Sequence, residues 1–574
     1  MNAFRTATAL LLLAAATGAA PAAAQDAATQ LPDSVATRVV AFYNQPGTIR
    51  LAGESTLPAG ASVTGNVAVL GGPFILGGRI EGDVLVINGD LRLQRDAEVT
   101  GHVIVVGGGV VGEGQARIGG GLEAYREPLR FRQEASGLVH APLVDTGISA
   151  GRDFPFGRTE LLIAARHDYN RVEGLPIEIG PRIRFGRINP TVFEALAIYR
   201  SSAGVRIDPD RMGYSLRLEQ FLAGGRTARI GLGAYSDITA IEDRGLSERE
   251  NSLSTFVLHK DLRDTFERRG WLAWFRYARA GWPHDLTVEY RDETNTSVAP
   301  GSPWSLLDND QPWRAEPLIA EGRTRSLTGR FVYDTRNEVA DPAAGWYIAA
   351  EAEQGLSGDI RRPAAVNVVG DTVPATPARE LYTHAALDVR RYVRLGPGSR
   401  MAFRAYAAGS PNGLGLPAQR QHTLGGEGSL PGYATFEFDC NARNTVWLAG
   451  ADSFYPNYGC SRVALVQLEY QAAFPFLARQ FGALGRSFDL EHLIRWVVFF
   501  NAGRAWNEPE ALDAQGSRPG VSGMPPPITG LGARDFAADA GFGVRLGPVG
   551  IYWAVPLSSA GQGINFFIRL GPRL

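Results

Sequence analysis

The stretch V-Q-L-E-Y-Q at residues 466–471 alternates strictly between apolar and polar side chains. Because successive side chains of an extended strand point to opposite faces, this segment has one apolar face and one polar face. The stretch I-R-W-V-V-F-F-N at residues 494–501 repeats the pattern, and I-N-F-F-I-R-L at residues 564–570 does so apart from Phe567. An apolar face towards lipid and a polar face towards a lumen are typical of strands in a membrane barrel.

Strand-like segments of this kind recur from residue 159 onward. We mark sixteen of them, near residues 159–172, 176–186, 190–200, 211–222, 226–238, 269–280, 284–293, 322–336, 346–356, 380–395, 399–409, 462–475, 491–506, 535–547, 549–557 and 563–574. Most odd-numbered connections are long, such as 410–461, whereas several even-numbered ones are tight turns, such as Gly396-Pro397-Gly398. The predicted fold class is therefore all-β: a 16-stranded transmembrane antiparallel β-barrel preceded by a short β-solenoid.

The composition excludes several other classes of protein. With 45% hydrophobic residues, 20% charged residues and a formal net charge of −2, the chain is too apolar and too balanced in charge to be disordered. After the first 25 residues or so it lacks the apolar run of about 18 residues that a membrane-spanning helix needs. The balanced charge also indicates that nucleic acid is not a partner.

The first residues have the pattern of a secretion signal, with an apolar stretch over residues 7–20 and an A-x-A cleavage motif at 22–24. We therefore predict a signal peptide over residues 1–24 and export of the remaining chain.

The two cysteines are Cys440 and Cys460. In an exported protein they predict a disulfide; the alternative is a zinc site, although no histidine lies between them.

A glycine-punctuated pattern repeats after the signal. It covers residues 63–72, 80–89 and 99–108, and its central glycines, Gly65, Gly82 and Gly101, are 17 and 19 residues apart. Each unit has the length of one coil of a β-solenoid, whose apolar edge is buried by the next coil. The repeat resembles the bactofilin-like β-helical domains.

These patterns divide the chain into five segments. They are a signal peptide (1–24), an N-terminal cap segment (25–47) with a helix over Asp33–Tyr43, a bactofilin-like periplasmic β-solenoid (48–121), a linker (122–158) and the barrel (159–574).

No catalytic motif accompanies these segments. The glycines at 107–112 satisfy G-x-G-x-x-G, but the residues after them cannot begin a good helix, and the repeat already explains them. The eight histidines are scattered, and no G-x-S-x-G, H-E-x-x-H or P-loop motif occurs. We therefore expect no enzymatic activity, no cofactor and no metal site.

The last third of the chain resembles the barrel of the BamA/TamA-type outer-membrane assembly superfamily, also called bacterial surface antigens. The resemblance is best over residues 322–574. It rests on F-V-Y-D-T-R-N at 331–337, L-G-G-E-G-S-L-P-G-Y at 424–433, F-F-N-A-G-R-A-W at 499–506 and G-F-G-V-R-L-G-P-V-G at 541–550. BamA and TamA carry POTRA domains ahead of the barrel, whereas here the solenoid occupies that place.

This resemblance implies a functional site in the sixth loop, residues 410–461. The loop motif comprises Gly425, Gly426, Leu430, Pro431, Gly432 and Tyr433. The superfamily has an arginine where this chain has Pro431, and that arginine contacts acidic groups at the positions of Glu469 and Asn501. Losing the arginine together with one carboxylate avoids burying an unpaired pair of acids. We therefore predict a sixth loop that folds inward but is held differently, with a Cys440–Cys460 bridge as one candidate.

Two functions remain open at this point. The first is an assembly or translocation factor for protein or lipid at the outer membrane, with outer-membrane lipid and client outer-membrane or secreted proteins as partners. The second is a structural outer-membrane anchor or pore, whose periplasmic solenoid associates with itself or contacts the cell wall. The resemblance favours the first function, and the stackable ends of a solenoid favour the second.

Overall fold

The computed structural model describes most of the chain after residue 30. The described residues are 31, 33–112, 115–125, 129, 131–134, 137–140, 147–154, 157–165, 169–186, 189–203, 212–222, 228–242, 244–278, 283–336, 341–367, 372–396, 398–412, 415–438, 440, 453–455, 459–474, 494–507, 536–558 and 563–574. The predicted signal peptide lies outside these ranges. No helix within them is long and apolar enough to cross a membrane. The chain forms two compact units, which are described separately below.

The first unit contains a stack of short parallel strands. They are β1 (Ile49–Ala52), β2 (Ser55–Leu57), β3 (Ser62–Thr64), β4 (Val67–Leu70), β5 (Phe74–Leu76), β6 (Arg79–Glu81), β7 (Val84–Ile87), β8 (Leu91–Leu93), β9 (Glu98–Val99), β10 (His102–Val106), β11 (Val110–Val111), β12 (Arg117–Ile118) and β13 (Gly121–Tyr125). They form three sheets, in the orders β1-β4-β7-β10-β13, β11-β8-β5-β2 and β12-β9-β6-β3. This coiling, in which each strand pairs with the strand three positions further along the chain, is a β-solenoid and confirms the prediction.

The register of the solenoid confirms the alignment of the three repeats. Val67 lies beside Val84, and Val84 lies beside Val103. The glycines of successive coils stack closely: a Cβ atom on Gly89 would lie 2.0 Å from the carbonyl oxygen of Gly72. The repeat therefore needs glycine at this corner because the backbones of neighbouring coils meet there.

A helix, α1 (Asp33–Asn44), covers one face of the solenoid. Its side chains Val35, Ala36 and Val39 are buried together with residues of the five-stranded sheet, including Leu85 and Ile87. A hairpin of β14 (Phe131–Glu134) and β15 (Gly137–His140) follows, and the Asn44 side chain bonds to both backbone groups of Leu138. This helix was predicted as an end cap. It packs along the five-stranded sheet instead, because apolar side chains of the sheet point outward from that face.

The second unit is built on one large antiparallel sheet. Its strands and the short strands between them are β16 (Gly147–Phe154), β17 (Gly157–Ala165), β18 (Pro176–Phe185), β19 (Thr191–Arg200), β20 (Gly213–Leu222), β21 (Ala228–Ala240), β22 (Thr265–Ala278), β23 (His284–Thr296), β24 (Glu316–Pro317), β25 (Glu321–Asp334), β26 (Gly345–Arg362), β27 (Ala365–Asn367), β28 (Thr372–Val373), β29 (Thr376–Pro377), β30 (Thr383–Gly396), β31 (Ser399–Gly409), β32 (Ser453–Tyr455), β33 (Arg462–Ala473), β34 (Ile494–Trp506), β35 (Ala537–Leu546), β36 (Val549–Pro556) and β37 (Asn565–Leu570).

Eighteen of these strands form the large sheet, in chain order from β16 to β37 without β24, β27, β28 and β32. Sixteen of the eighteen coincide with the sixteen predicted segments. The other two are β16, which lies in the predicted linker, and the two-residue β29. The four short strands left over form a separate small sheet that joins three of the long loops.

The two faces of the large sheet have the polarity of a membrane barrel. On β33, Val466 and Leu468 are 37% and 39% exposed, whereas Glu469 is 1% exposed. On β34, Phe500 is 41% exposed and Asn501 is fully buried. Apolar side chains outside and polar side chains inside reverse the arrangement of a soluble protein, so the outer face requires lipid. The fold is a transmembrane antiparallel β-barrel, as predicted.

Candidate functional site

The sixth loop returns to the barrel as a narrow hairpin. The backbones of His422 and Cys460 exchange hydrogen bonds of 2.9 and 2.7 Å. The Sγ atoms of Cys440 and Cys460 lie 2.06 Å apart, at bonding distance for a disulfide, and their Cα atoms are 5.0 Å apart. The two cysteines therefore lie at the root of the loop, beside the start of β33.

The motif glycines make a turn that only glycine tolerates. Gly425 and Gly426 have φ angles of +116° and +80°, in the left-handed region. A Cβ atom on Gly425 would lie 2.2 Å from the carbonyl oxygen of Ala434. The turn directs Leu430 into a buried apolar cluster with Tyr406, Ala408, Leu424, Tyr433, Val463 and Leu465.

The tip of the sixth loop bonds to the closing strands of the barrel. The Gly432 amide donates a hydrogen bond to Asp539 Oδ2 at 2.8 Å, and the Tyr433 hydroxyl donates to the carbonyl of Ala538 at 3.0 Å. The Pro431 carbonyl accepts from Asn565 Nδ2 at 3.2 Å. These bonds place the three tip residues against β35 and β37, inside the barrel.

Asn501 and Glu469 lie on the lumen side of β34 and β33, close to this tip. Asn501 Nδ2 donates to Asp539 Oδ1 at 2.6 Å, and the other carboxylate oxygen of Asp539 holds Gly432. Glu469 Oε2 accepts from Arg573 Nε at 3.1 Å. Asn501 therefore reaches the sixth loop through Asp539, and Glu469 is neutralised by an arginine from outside the loop.

A second anchor holds the root of the sixth loop to the third loop, residues 241–264 between β21 and β22. Glu242 accepts hydrogen bonds from His422 Nδ1 at 2.9 Å and from the amide of Thr423 at 3.0 Å, and it forms an ion pair with Arg244. On the opposite side, His422 Nε2 lies 3.0 Å from Nε2 of His384 on β30.

Electrostatics at this anchor favour an ionised carboxylate beside a neutral imidazole. Burial alone raises the pKa of Glu242, but Arg244 and the hydrogen bond from His422 outweigh it and lower that pKa to about 2. Burial lowers the pKa of His422, and Glu242 opposes this only in part. Since a carboxylate accepts only, His422 donates from Nδ1, and its Nε2 then accepts from His384.

The third loop also contacts the last strand through a helix, α2 (Glu248–Leu258). Ser247 caps the helix in a reciprocal pair with Glu250. The same Glu250 carboxylate accepts from Arg569 at 2.7 and 3.1 Å and from the Leu570 amide at 2.7 Å. Arg569 also donates to the carbonyl of Glu427 in the sixth loop at 3.1 Å. One carboxylate thus connects the third loop to β37.

The structure therefore brings the predicted loop motif and the predicted lumen residues into one region. Asp539, Gln467 and Arg573 make the connecting bonds. Sequence reasoning placed Asp539 among the lumen carboxylates that pair with arginines, but it did not connect Asp539 with the sixth loop and did not single out Gln467 or Arg573. A buried carboxylate such as Glu469 requires a cationic partner. Because position 431 carries proline and not arginine, the available signal was that another segment must supply this cation. Among the described residues, no group of three or more His, Cys, Asp or Glu side chains is placed to hold a metal.

Comparisons with known proteins found one family and several solved structures to which this chain is similar. Residues 288–568 match the Omp85 superfamily domain. BamA from Haemophilus ducreyi lacking POTRA domains 1–3 is similar at 15% identity and a TM-score of 0.41, over 77% of this chain and 74% of that one. CdiB from Acinetobacter baumannii is similar at 9% identity and a TM-score of 0.29, over 77% and 65% of the two chains. CdiB from Escherichia coli is similar at 12% identity and a TM-score of 0.30, over 77% and 67%. No curated protein sequence matches the chain.

Proposed function

Because residues 288–568 match the Omp85 superfamily domain, we propose that this outer-membrane barrel inserts or transports protein or lipid at the outer membrane. Omp85 proteins are assembly or transport factors and not enzymes. The proposed partners are outer-membrane lipid and client outer-membrane or secreted proteins. The proposal includes export by the signal peptide over residues 1–24 and a periplasmic position for the solenoid.

One observation carries this proposal: the tip of the sixth loop is held inside the barrel. Gly432 and Tyr433 bond to β35, and Leu430 is fully buried. A permanently open pore needs a water-filled lumen, whereas here an ordered loop occupies part of the lumen. An occupied lumen does not suit a permanently open pore. It supports instead a barrel whose sixth loop and closing strands act on a client.

Depletion in the source bacterium, followed by quantitative measurement of outer-membrane proteins and lipids, tests the proposal. We expect a defined set of barrel proteins, secreted proteins or lipids to fall, and wild-type chain to restore them. A Gly415→Ala variant should also restore them, because a Cβ atom there would meet nothing within 4 Å. Unchanged levels of all outer-membrane proteins and lipids would contradict the proposal.

The second candidate function is a structural anchor whose solenoid associates with itself or contacts the cell wall. It is favoured by the strands of the first coil, β1, β2 and β3, which are the terminal members of their three sheets within the described residues. Their outer edges therefore expose backbone groups that another strand could pair with. Sedimentation of the purified solenoid tests this function, since a strictly monomeric domain would argue against self-association.

A further inference from the structure

The last four residues of the sequence turn into the barrel. Gly571, directly after β37, has a φ angle of +114°, which only glycine adopts readily. Beyond this turn, Leu574 is buried in a cluster with Tyr392 of β30 and Ala402 of β31. Ala402 lies on the lumen side of its strand, because its neighbours along β31 alternate between buried and exposed. The segment 571–574 therefore lies against the inner wall.

Arg573 occupies a fully desolvated site in this segment. Its guanidinium bonds to Glu469 Oε2 at 3.1 Å and to Asn501 Oδ1 at 3.2 Å, and both charged side chains are 1% exposed. Its Cζ atom lies 3.8 Å from the ring centroid of Phe499, with two more rings, those of Tyr552 and Phe567, within 6 Å. Since a buried carboxylate is tolerated only with a partner, Arg573 and Glu469 depend on each other.

The Arg573 guanidinium also fixes the orientation of Asn501. A guanidinium can only donate hydrogen bonds, so the Asn501 atom facing it must be the oxygen. Gln467 Nε2 donates to the same oxygen at 3.2 Å and to the Ser429 carbonyl of the sixth loop at 3.1 Å. The Asn501 amide nitrogen then faces Asp539, which holds the Gly432 amide. Three consecutive hydrogen bonds connect Arg573 to the loop tip.

We propose that Arg573 is the positioning residue of the sixth loop, and that it takes this role because position 431 carries proline. Pro431 offers neither charge nor an N–H group, so the cation that Glu469 requires must come from another segment. The tail supplies it and, through Asn501 and Asp539, sets where the loop tip binds. This inference concerns the position of the loop and does not depend on which client the barrel handles.

The test measures exposure of the loop tip in the full-length chain. Ser429→Cys places a thiol at a position that is 9% exposed, and its rate of reaction with a maleimide is measured under non-reducing conditions. The chain without Ser429→Cys supplies the background from the native cysteines. Adding Arg573→Ala should raise the rate about tenfold or more, because a charged hydrogen-bond anchor is lost. Arg361→Ala is the matched control, because the Arg361 side chain is 68% exposed.

A second substitution separates positioning from general stability. Adding Pro431→Arg to the Arg573→Ala variant should return the maleimide rate towards the wild-type value, because the loop then carries its own guanidinium near Glu469. If Arg573→Ala does not fold, the pair Arg573→Gln and Glu469→Gln removes both buried charges and should still expose the tip. A folded Arg573→Ala or double-glutamine variant with an unchanged rate would overturn the proposal.

Discussion

At the scale of single residues, the sixth loop depends on glycines where two backbones meet. Gly432 has an ordinary φ angle, so its requirement is for space: a Cβ atom there would lie 2.6 Å from Cβ of Asp539 and 3.0 Å from the backbone nitrogen of Pro556. Both neighbours belong to the barrel wall and cannot move far. Contact between the loop and the wall therefore requires this glycine.

We predict that Gly432→Ala detaches the loop tip. Overpacking of this kind costs about 1–3 kcal/mol, which is comparable with the hydrogen bonds to Asp539 and Ala538 that hold the tip. Limited proteolysis of the folded barrel should therefore cleave the sixth loop faster in this variant. Gly415→Ala, in the same loop but with open space around its Cβ position, should be cleaved at the wild-type rate. Equal rates in the two variants would contradict the prediction.

The root of the same loop should respond to acid. The folded-state pKa of His422 is lowered, so the neutral form stabilises the anchor above pH 6.5 and this contribution is lost as pH falls through the folded value. The pKa of Glu242 is also lowered, so its contribution is lost only between about pH 4.5 and pH 2. Among the residues that the structure describes, the charged and titratable groups facing His422 are Glu242, Arg244 and His384.

We therefore predict faster hydrogen exchange at the root of the sixth loop as pH falls from 7.5 to 5, after correction for the intrinsic exchange rate. His422→Gln keeps a side-chain hydrogen-bond donor but cannot be protonated, so it should remove most of this pH dependence. His102→Gln, in the solenoid, serves as the control and should leave the response unchanged. The same pH response in wild type and His422→Gln would show that another group is responsible.

At the scale of secondary-structure elements, strand positions were predictable, because lipid on one side and a polar lumen on the other impose alternation on each strand. Each of the sixteen predicted segments contains one strand of the large sheet, but the last of these strands, β37, ends at Leu570 and not at the predicted residue 574. The small sheet of β24, β27, β28 and β32 and the helix α2 were not predicted, because their sequences have no such constraint and contacts between loops determine them. The strand β16, which pairs with β17 in the large sheet, had been assigned to the linker. The solenoid repeat was predictable for a different reason: its glycines recur at the corners where neighbouring coils meet.

The lumen contacts could be predicted only in part. The resemblance located the loop motif and both wall residues, Glu469 and Asn501. It could not supply Arg573, because a residue just beyond β37 has the pattern of a strand end until the φ angle of Gly571 is known. Asp539 is a similar case, since strand alternation places it inside the barrel but does not say which loop atom it meets. The loop atom that meets Asp539 is decided by the register of three neighbouring strands and by the path of the sixth loop.

The connection between α2 and β37 gives a prediction at this scale. Glu250 accepts from the Leu570 amide and from Arg569, so Glu250→Ala leaves a buried donor and a buried cation without their partner. Losing these bonds costs about 1–3 kcal/mol each, so amide exchange in residues 565–570 should accelerate by roughly tenfold or more. Glu248→Ala removes a half-exposed acid from the same helical turn and should have little effect. Unchanged exchange in the Glu250→Ala variant would exclude α2 as the support of β37.

At the scale of the whole molecule, the chain combines two units with different requirements. The barrel needs lipid around its apolar outer face, whereas the solenoid buries its apolar side chains in two clusters of its own, one inside the coils and one beneath α1. A unit with its own core can fold alone. The excess of glycine, 69 of 574 residues, serves both units, in the corners of the coils and in the turns of the sixth loop.

We therefore predict that a fragment of residues 26–140 folds in water without the barrel. Its circular dichroism should show β-structure, and its thermal unfolding should be cooperative, because each coil is stabilised mainly by its neighbours. Gly89→Ala should lower the midpoint by several degrees or prevent folding, since its Cβ atom would lie 2.0 Å from a carbonyl oxygen of the preceding coil. Gly109→Ala meets only a side-chain oxygen at 3.9 Å and is the matched control. If both variants unfold like wild type, the coils do not stack closely at this corner. If the fragment itself shows no cooperative transition, the solenoid depends on the rest of the chain to fold.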